Sequence, residues 1–160
     1  MMRFLRPLAA LVAIASSVPL AASVKVGDKL PSIYLHKGFP PEKIDLASYA
    51  SNKAIILVGL PVMQAWADDQ MIDENGIIKF MGDPEGALTR SLDMELIHPG
   101  PYSVGIIGRC KRFALYAVNG EVKYVAVSER DDDPAGDDYP EATLAESMLF
   151  AIMEHKNDEL

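Results

Sequence analysis

The 160-residue sequence contains one cysteine, Cys110. A single thiol excludes an internal disulfide framework and every paired-cysteine redox or zinc motif. The three histidines, His36, His98 and His155, lie far apart and have no metal-ligand spacing, so no metal is expected. Basic residues are also scarce: 15 Lys and Arg stand against 23 Asp and Glu, for a net charge of -8. A phosphate-backbone partner calls for a basic face, so nucleic acid is excluded as a ligand class. Glycine-rich dinucleotide and Walker loops and the GxSxG elbow are absent, and no cofactor is expected. Internal repeats and low-complexity tracts are missing too. What remains, 49% hydrophobic and 24% charged residues, describes a single ordinary globular domain.

Both ends carry address-like features. MMRFLRPLAALVAIASSVPLAAS has Arg3 and Arg6, an apolar stretch from Leu8 to Ala15 and small residues up to Ser23. That order reads as a cleaved signal peptide over residues 1–23, with an organelle transit peptide as the alternative. Its apolar stretch falls short of the roughly 18 residues that span a bilayer, so no membrane insertion is expected after cleavage. Residues 157–160, Asn-Asp-Glu-Leu, resemble an endoplasmic-reticulum retrieval tail with Asn157 in place of Lys or His. The expected location is the lumen of that compartment, with mitochondrion or plastid as the alternative, and residues 24–160 form the domain.

Inside the domain, strand and helix signals alternate. Residues 24–35 form a lead-in, and residues 46–50 a short helical turn. AIILVGL, residues 54–60, is an unbroken apolar run of the kind that a strand buried on both faces of a parallel sheet shows. Met63, Trp66, Ala67 and Met71 then recur at helical spacing. IIKFM, residues 77–81, reads as a short strand, and residues 87–92 as a short helix. RFALYAV and EVKYVAV flank Asn119-Gly120, the dipeptide that best supplies both positive φ angles of a type I′ hairpin turn. The C-terminal segment, residues 141–156, puts Ala145, Met148, Leu149, Ile152 and Met153 on one helical face.

The acidic stretch ERDDDPAGDDYPEA, residues 129–142, fails as a calcium loop. Asp131, Asp133 and Gly136 fit its first, third and sixth positions, but Ala135 and Ala142 fall where ligands are needed. The stretch reads instead as a solvated loop.

Taken in order, VKVGDKLPSIYLHKGFPPEKIDL, AIILVGLP, VMQAWADDQ, FMGDPEGALTRSLDMEL, HPGP and RCKRFALYAVNGEVKYVAVSE resemble the type II, peroxiredoxin-five-like peroxiredoxins. The resemblance covers nearly all of residues 24–160. It implies an α/β, thioredoxin-like fold with a central mixed sheet and flanking helices. It also implies a thiol-dependent peroxidase that reduces hydrogen peroxide and organic hydroperoxides, recharged by thioredoxin or glutaredoxin, with a homodimer as a further expectation.

The family motif P-x-x-x-T/S-x-x-C directly follows the strand. Its thiolate attacks a peroxide oxygen and becomes a sulfenic acid, while a hydroxyl and a guanidinium lower its pKa. Here Pro61 matches the proline, but Ala65 stands at the hydroxyl position and Asp68 at the cysteine position. VMQAWADDQ fits the family's next helix better, which implies that the catalytic loop, one helix and one strand are missing as a block. Arg112 matches the family arginine that sits beside the peroxidatic thiolate; the other reading is a solvated strand arginine. Cys110 shares a strand face with Arg112 and has Arg109 and Lys111 beside it, a setting that favours a thiolate, but a free cysteine is also a small buried hydrophobe.

Three functional readings stand: an inactive relative of the peroxidases, a noncatalytic redoxin module that binds or dimerises, and an unstable skipped-segment product. With the intervening strand gone, residues 55–60 are expected to pair directly with residues 77–81, since the connection of a dozen or more residues suffices for a parallel crossover.

Overall fold

This computed structural model describes residues 23–38, 40–59, 76–103, 105 and 107–158. The leader up to residue 22, Leu60 and Pro61, the helical stripe Met63, Trp66, Ala67 and Met71, the motif positions Ala65 and Asp68, and the last two residues of the retrieval-like tail lie outside the described residues.

The chain opens with a two-stranded antiparallel ribbon, β1 (Tyr34–Lys37) and β2 (Glu42–Asp45), with Tyr34 opposite Asp45. The lead-in reading of this region missed it, because each strand is only four residues long and Lys, His and Glu interrupt its apolar pattern. Helix α1 (Leu46–Ala50) follows at once. Asp45 caps it, accepting from Ser48 N at 2.8 Å, while Ser32 Oγ donates to the other carboxylate oxygen at 2.6 Å. These bonds, led by the Ser32 hydroxyl, hold the Asp45 carboxyl below its usual pKa.

The main sheet has three described strands in the order β3-β4-β5: β3 (Ala54–Gly59), β4 (Phe113–Val118) and β5 (Glu121–Val127). Both pairings are antiparallel. The β4–β5 hairpin turns where expected, with φ of 51° at Asn119 and 74° at Gly120, both positive as a type I′ turn requires. Two short helices, α2 (Ala87–Ser91) and α3 (Pro99–Ser103), lie between β3 and β4 in the chain. A 3₁₀ turn, Glu141–Thr143, leads into the long helix α4 (Ala145–Asp158).

Three expectations are corrected here. The strand at residues 54–60 is not buried on both faces: β3 alternates exposed and half-buried, with Ile56 46% and Val58 40% exposed. The strand buried on both faces is β4, in which Phe113 to Ala117 are all buried. An unbroken apolar run reports side-chain type, and AIILVG and FALYAV score alike; which of them becomes central is a tertiary outcome. Residues 77–81 form no strand, and the expected parallel pairing is not made by residues 55–59; Ile77 is fully exposed and Ile78 53% exposed. The residue that does pair nearby is Gly82, which exchanges backbone bonds with His36 at 2.8 and 2.6 Å and so takes the segment toward the ribbon. Finally, the expected apolar face of α4 is covered only in part. Met148 is buried and Ile152 half-buried, whereas Leu149 and Met153 are 55% and 64% exposed.

The core lies on both faces of β4. Phe113, Leu115 and Ala117 face the larger cluster with Leu30, Leu35, Leu46, Leu88, Leu92 and Met94, and Ala114 and Tyr116 face the smaller one under Met148 of α4. Alternate side chains on a strand point to opposite faces, so one strand serves both clusters.

Candidate functional site

The residues singled out by sequence lie where the chain enters β4. Before that strand begins, the backbone of residues 109–112 is laced to its neighbours. Leu96 N donates to Arg109 O at 2.8 Å and Lys111 N to Met94 O at 2.9 Å, pairing Cys110 with Glu95. Arg112 N then donates to Ala135 O, and Arg112 O accepts from Ser128 N, both at 3.0 Å. Cys110 therefore sits in a short bridge against residues 94–96 rather than on β4.

Cys110 is half-buried and packs against the larger core cluster. Burial pushes its thiol pKa above the ordinary value of 9.0; the Asp83 and Asp137 carboxylates add to the rise, and Arg109 opposes it. The positive setting read from sequence is largely spent elsewhere, because Lys111 Nζ pairs with Glu129 Oε2 at 2.7 Å. A neutral thiol is the result, and the neutral form is a poor nucleophile.

Arg112 is also taken. Its Nε stands 3.6 Å from Asp137 Oδ1, an ion pair too long for a hydrogen bond, and the buried Nε has no hydrogen-bond partner among the described residues. Asp137 gets there through a neighbour that sequence reasoning left in solvent. Asp133 is only 6% exposed, and its carboxylate gathers the surrounding loop. Oδ1 accepts from Gly136 N at 3.0 Å and Asp137 N at 3.2 Å; Oδ2 accepts from Asp138 N at 2.9 Å and Tyr139 N at 3.0 Å. Burial raises its pKa, but four N–H donors outweigh that and hold it below the usual value. Gly136 has φ of +79°, and a Cβ there would overlap the Ser128 carbonyl, so the loop closes tightly on the end of β5. The signal for this was an aspartate three residues before a glycine, the pattern of a side chain that folds its own loop.

Asp83 completes the surroundings of the thiol. Its carboxylate accepts from Thr89 N at 2.9 Å and from Thr89 Oγ1 at 3.0 Å, bridging the GDPEGALT block to the start of α2. Asp83 and Thr89 therefore have a structural task in that block. Around the entry to β4, Cys110 feels the negative charge of Asp83 and Asp137, and Asp137 is also the ion-pair partner of Arg112.

No family model matches the chain. Solved structures do. Reduced Prx3 of Vibrio vulnificus, determined in complex with H2O2, superposes with a TM-score of 0.68 at 19% identity, over 83% of this chain and 98% of that one. Peroxiredoxin 5 of Alvinella pompejana gives 0.60 at 16% identity, over 82% and 99%. The 1-Cys peroxiredoxin of Plasmodium falciparum gives 0.52 at 17% identity, over 67% and 86%. At these identities the likeness speaks to architecture, and the architecture of this chain is the α/β, thioredoxin-like fold of the peroxiredoxins.

Proposed function

We propose that this chain is a noncatalytic redoxin module of type II peroxiredoxin descent, in which the fold is kept and the peroxide chemistry is lost. One observation carries this reading. The only thiol of the sequence is a half-buried group whose pKa burial raises and the Asp83 and Asp137 charges raise further, and the arginine that would serve it is paired with Asp137. Peroxidatic attack needs the opposite: a thiolate, held and aimed by positive charge. Thioredoxin and glutaredoxin reduce their substrates through an exposed sulfur, and Cys110 is half-buried against the larger core cluster.

The test is peroxide consumption by the purified full chain with thioredoxin or glutaredoxin as reductant, using hydrogen peroxide and an organic hydroperoxide. Turnover is expected at no more than the slow rate of an ordinary thiol, and Cys110→Ser should remove only that slow background. Alkylation of Cys110 should likewise be slow in the native protein, rising only as pH goes above 9.0, and should jump on unfolding. Fast peroxide turnover abolished by Cys110→Ser would overturn the proposal and make Cys110 the nucleophile.

A further inference from the structure

Among the described residues, one edge of the main sheet is unpaired. Among the described residues β3 is bonded on one side only, by β4. The Lys53 carbonyl accepts from Asn119 N at 3.0 Å, which fixes the phase of the ladder. Residues 53, 55, 57 and 59 turn their backbone groups toward β4, so the N–H and C=O of Ala54, Ile56 and Val58 point away from it. No described residue bonds these groups. The same three residues expose their side chains, on the face where Tyr116 and Ala114 stand opposite Ile56 and Val58. The other edge is different, because the chain itself closes part of it: Gly27 N donates to Val122 O at 2.8 Å and Val122 N to Asp28 O at 2.9 Å.

The geometry points to β3 as the pairing edge for a second copy of this chain, antiparallel, with Ile56 on the two-fold axis. Register decides this. Directly opposed residues on antiparallel strands share a face, so only registers that match even with even positions keep both faces in phase. With Ile56 opposite the partner's Ile56, Ala54 lies opposite the partner's Val58. All three outward residues then fall in hydrogen-bonded pairs, so every open donor and acceptor of both strands is used. Shifting the register by two in either direction leaves some of them unpaired.

Self-complementarity favours a second copy over an unrelated peptide. Every opposed pair in that register is apolar: Ala54 with the partner's Val58, Ile55 with the partner's Leu57, and Ile56 with the partner's Ile56. Ile55 and Leu57 already pack on the larger core cluster, so the two cores would join across the seam. Residues 54–59 carry no charge, which keeps the net charge of -8 on each copy away from the seam. Lys53, beside the strand, holds its ammonium over its own Tyr49 ring at 3.4 Å. An exposed, uncharged, apolar edge is otherwise a site of uncontrolled association, and isologous pairing closes it at two copies. The inference concerns assembly and is independent of whether Cys110 turns over peroxide.

Sedimentation of the full chain tests it, with an expected mass of twice the 17.5 kDa chain. Ile56→Lys places two ammonium groups face to face at the axis and should weaken association about tenfold or more, with the melt of the single chain retained because this side chain is already solvated. In a Cys110→Ser background, Ile56→Cys should form a disulfide-linked dimer under mild oxidation, since a Cα separation of about 5.5 Å suits that bond. Lys29→Cys, on the opposite edge, should not. The cross-linking arm decides the matter if Ile56→Lys fails to fold. A monomer at every concentration, a dimer indifferent to Ile56→Lys, an open-ended aggregate, or cross-linking through Lys29→Cys as fast as through Ile56→Cys would each overturn the proposal.

Discussion

Four backbone N–H groups converge on the carboxylate of Asp133, and that one side chain decides what the acidic loop is. Six acidic residues fall between Glu129 and Asp138, and composition makes them look alike; only the backbone path separates the buried acid from the solvated ones. Asp133→Asn replaces one acceptor oxygen with an amide nitrogen that would face N–H donors, so the melting temperature should fall at pH 7. The sign of the pH dependence follows from the lowered pKa. Asp133 contributes fully above its unfolded value of 3.8 and loses that contribution as pH falls through its folded value. The gap between the parent and Asp133→Asn should therefore be full at pH 7 and close only below pH 3.8. Melts of both proteins across that range are the measurement, and equal melting temperatures at pH 7 would remove Asp133 as the loop's anchor. Arg112 is coupled to the outcome, because Asp137 hangs from the same carboxylate.

Between elements, legibility followed how local the signal was. The β4–β5 hairpin and the α1 turn were readable because turn residues and short-range capping fix them within a few positions. The β1–β2 ribbon was not, since its register is set by a partner strand and by Gly82 bonding back to His36. For residues 77–81, β propensity pointed to a strand and the tertiary structure gave none. Arg112 and Cys110 were legible as candidates from residue type and resemblance, but their partners Asp137 and Asp83 come from loops distant in sequence. Two glycines show how the same residue is constrained in different ways. Gly120 needs its freedom for φ of 74°, so Gly120→Ala should cost about 1 kcal/mol. Gly59 has no such strain, but a Cβ there would overlap the ring of Phe113, which lies opposite it and is buried. Gly59→Ala should therefore cost about 1 to 3 kcal/mol through overpacking. Denaturant midpoints of the two variants check the order, and Gly59→Ala as the milder change would mean the Phe113 ring has room to move.

At the scale of the molecule, the question is whether a domain with two core clusters unfolds as a unit. Two core clusters meet at β4, which sends Phe113, Leu115 and Ala117 to one and Ala114 and Tyr116 to the other. Neither cluster can be lost while the other keeps its wall, so the two should melt together. Met148 tests this from the smaller side, being 2% exposed beneath α4. Met148→Ala removes a buried side chain and should cost about 2 to 5 kcal/mol, a large part of the roughly 5 to 15 kcal/mol that holds a domain. If β4 couples the clusters, that loss shifts the whole transition: backbone circular dichroism, which reports the sheet, and tyrosine absorbance, whose change is led by Tyr116 as the most buried of the six tyrosines, should move to the same new midpoint. A Met148→Ala protein whose tyrosine signal melts before its backbone signal would mean that α4 and the smaller cluster detach alone. A parent chain with no cooperative transition would favour the remaining reading, a product of a skipped segment that keeps the strands of a redoxin but not the stability of one.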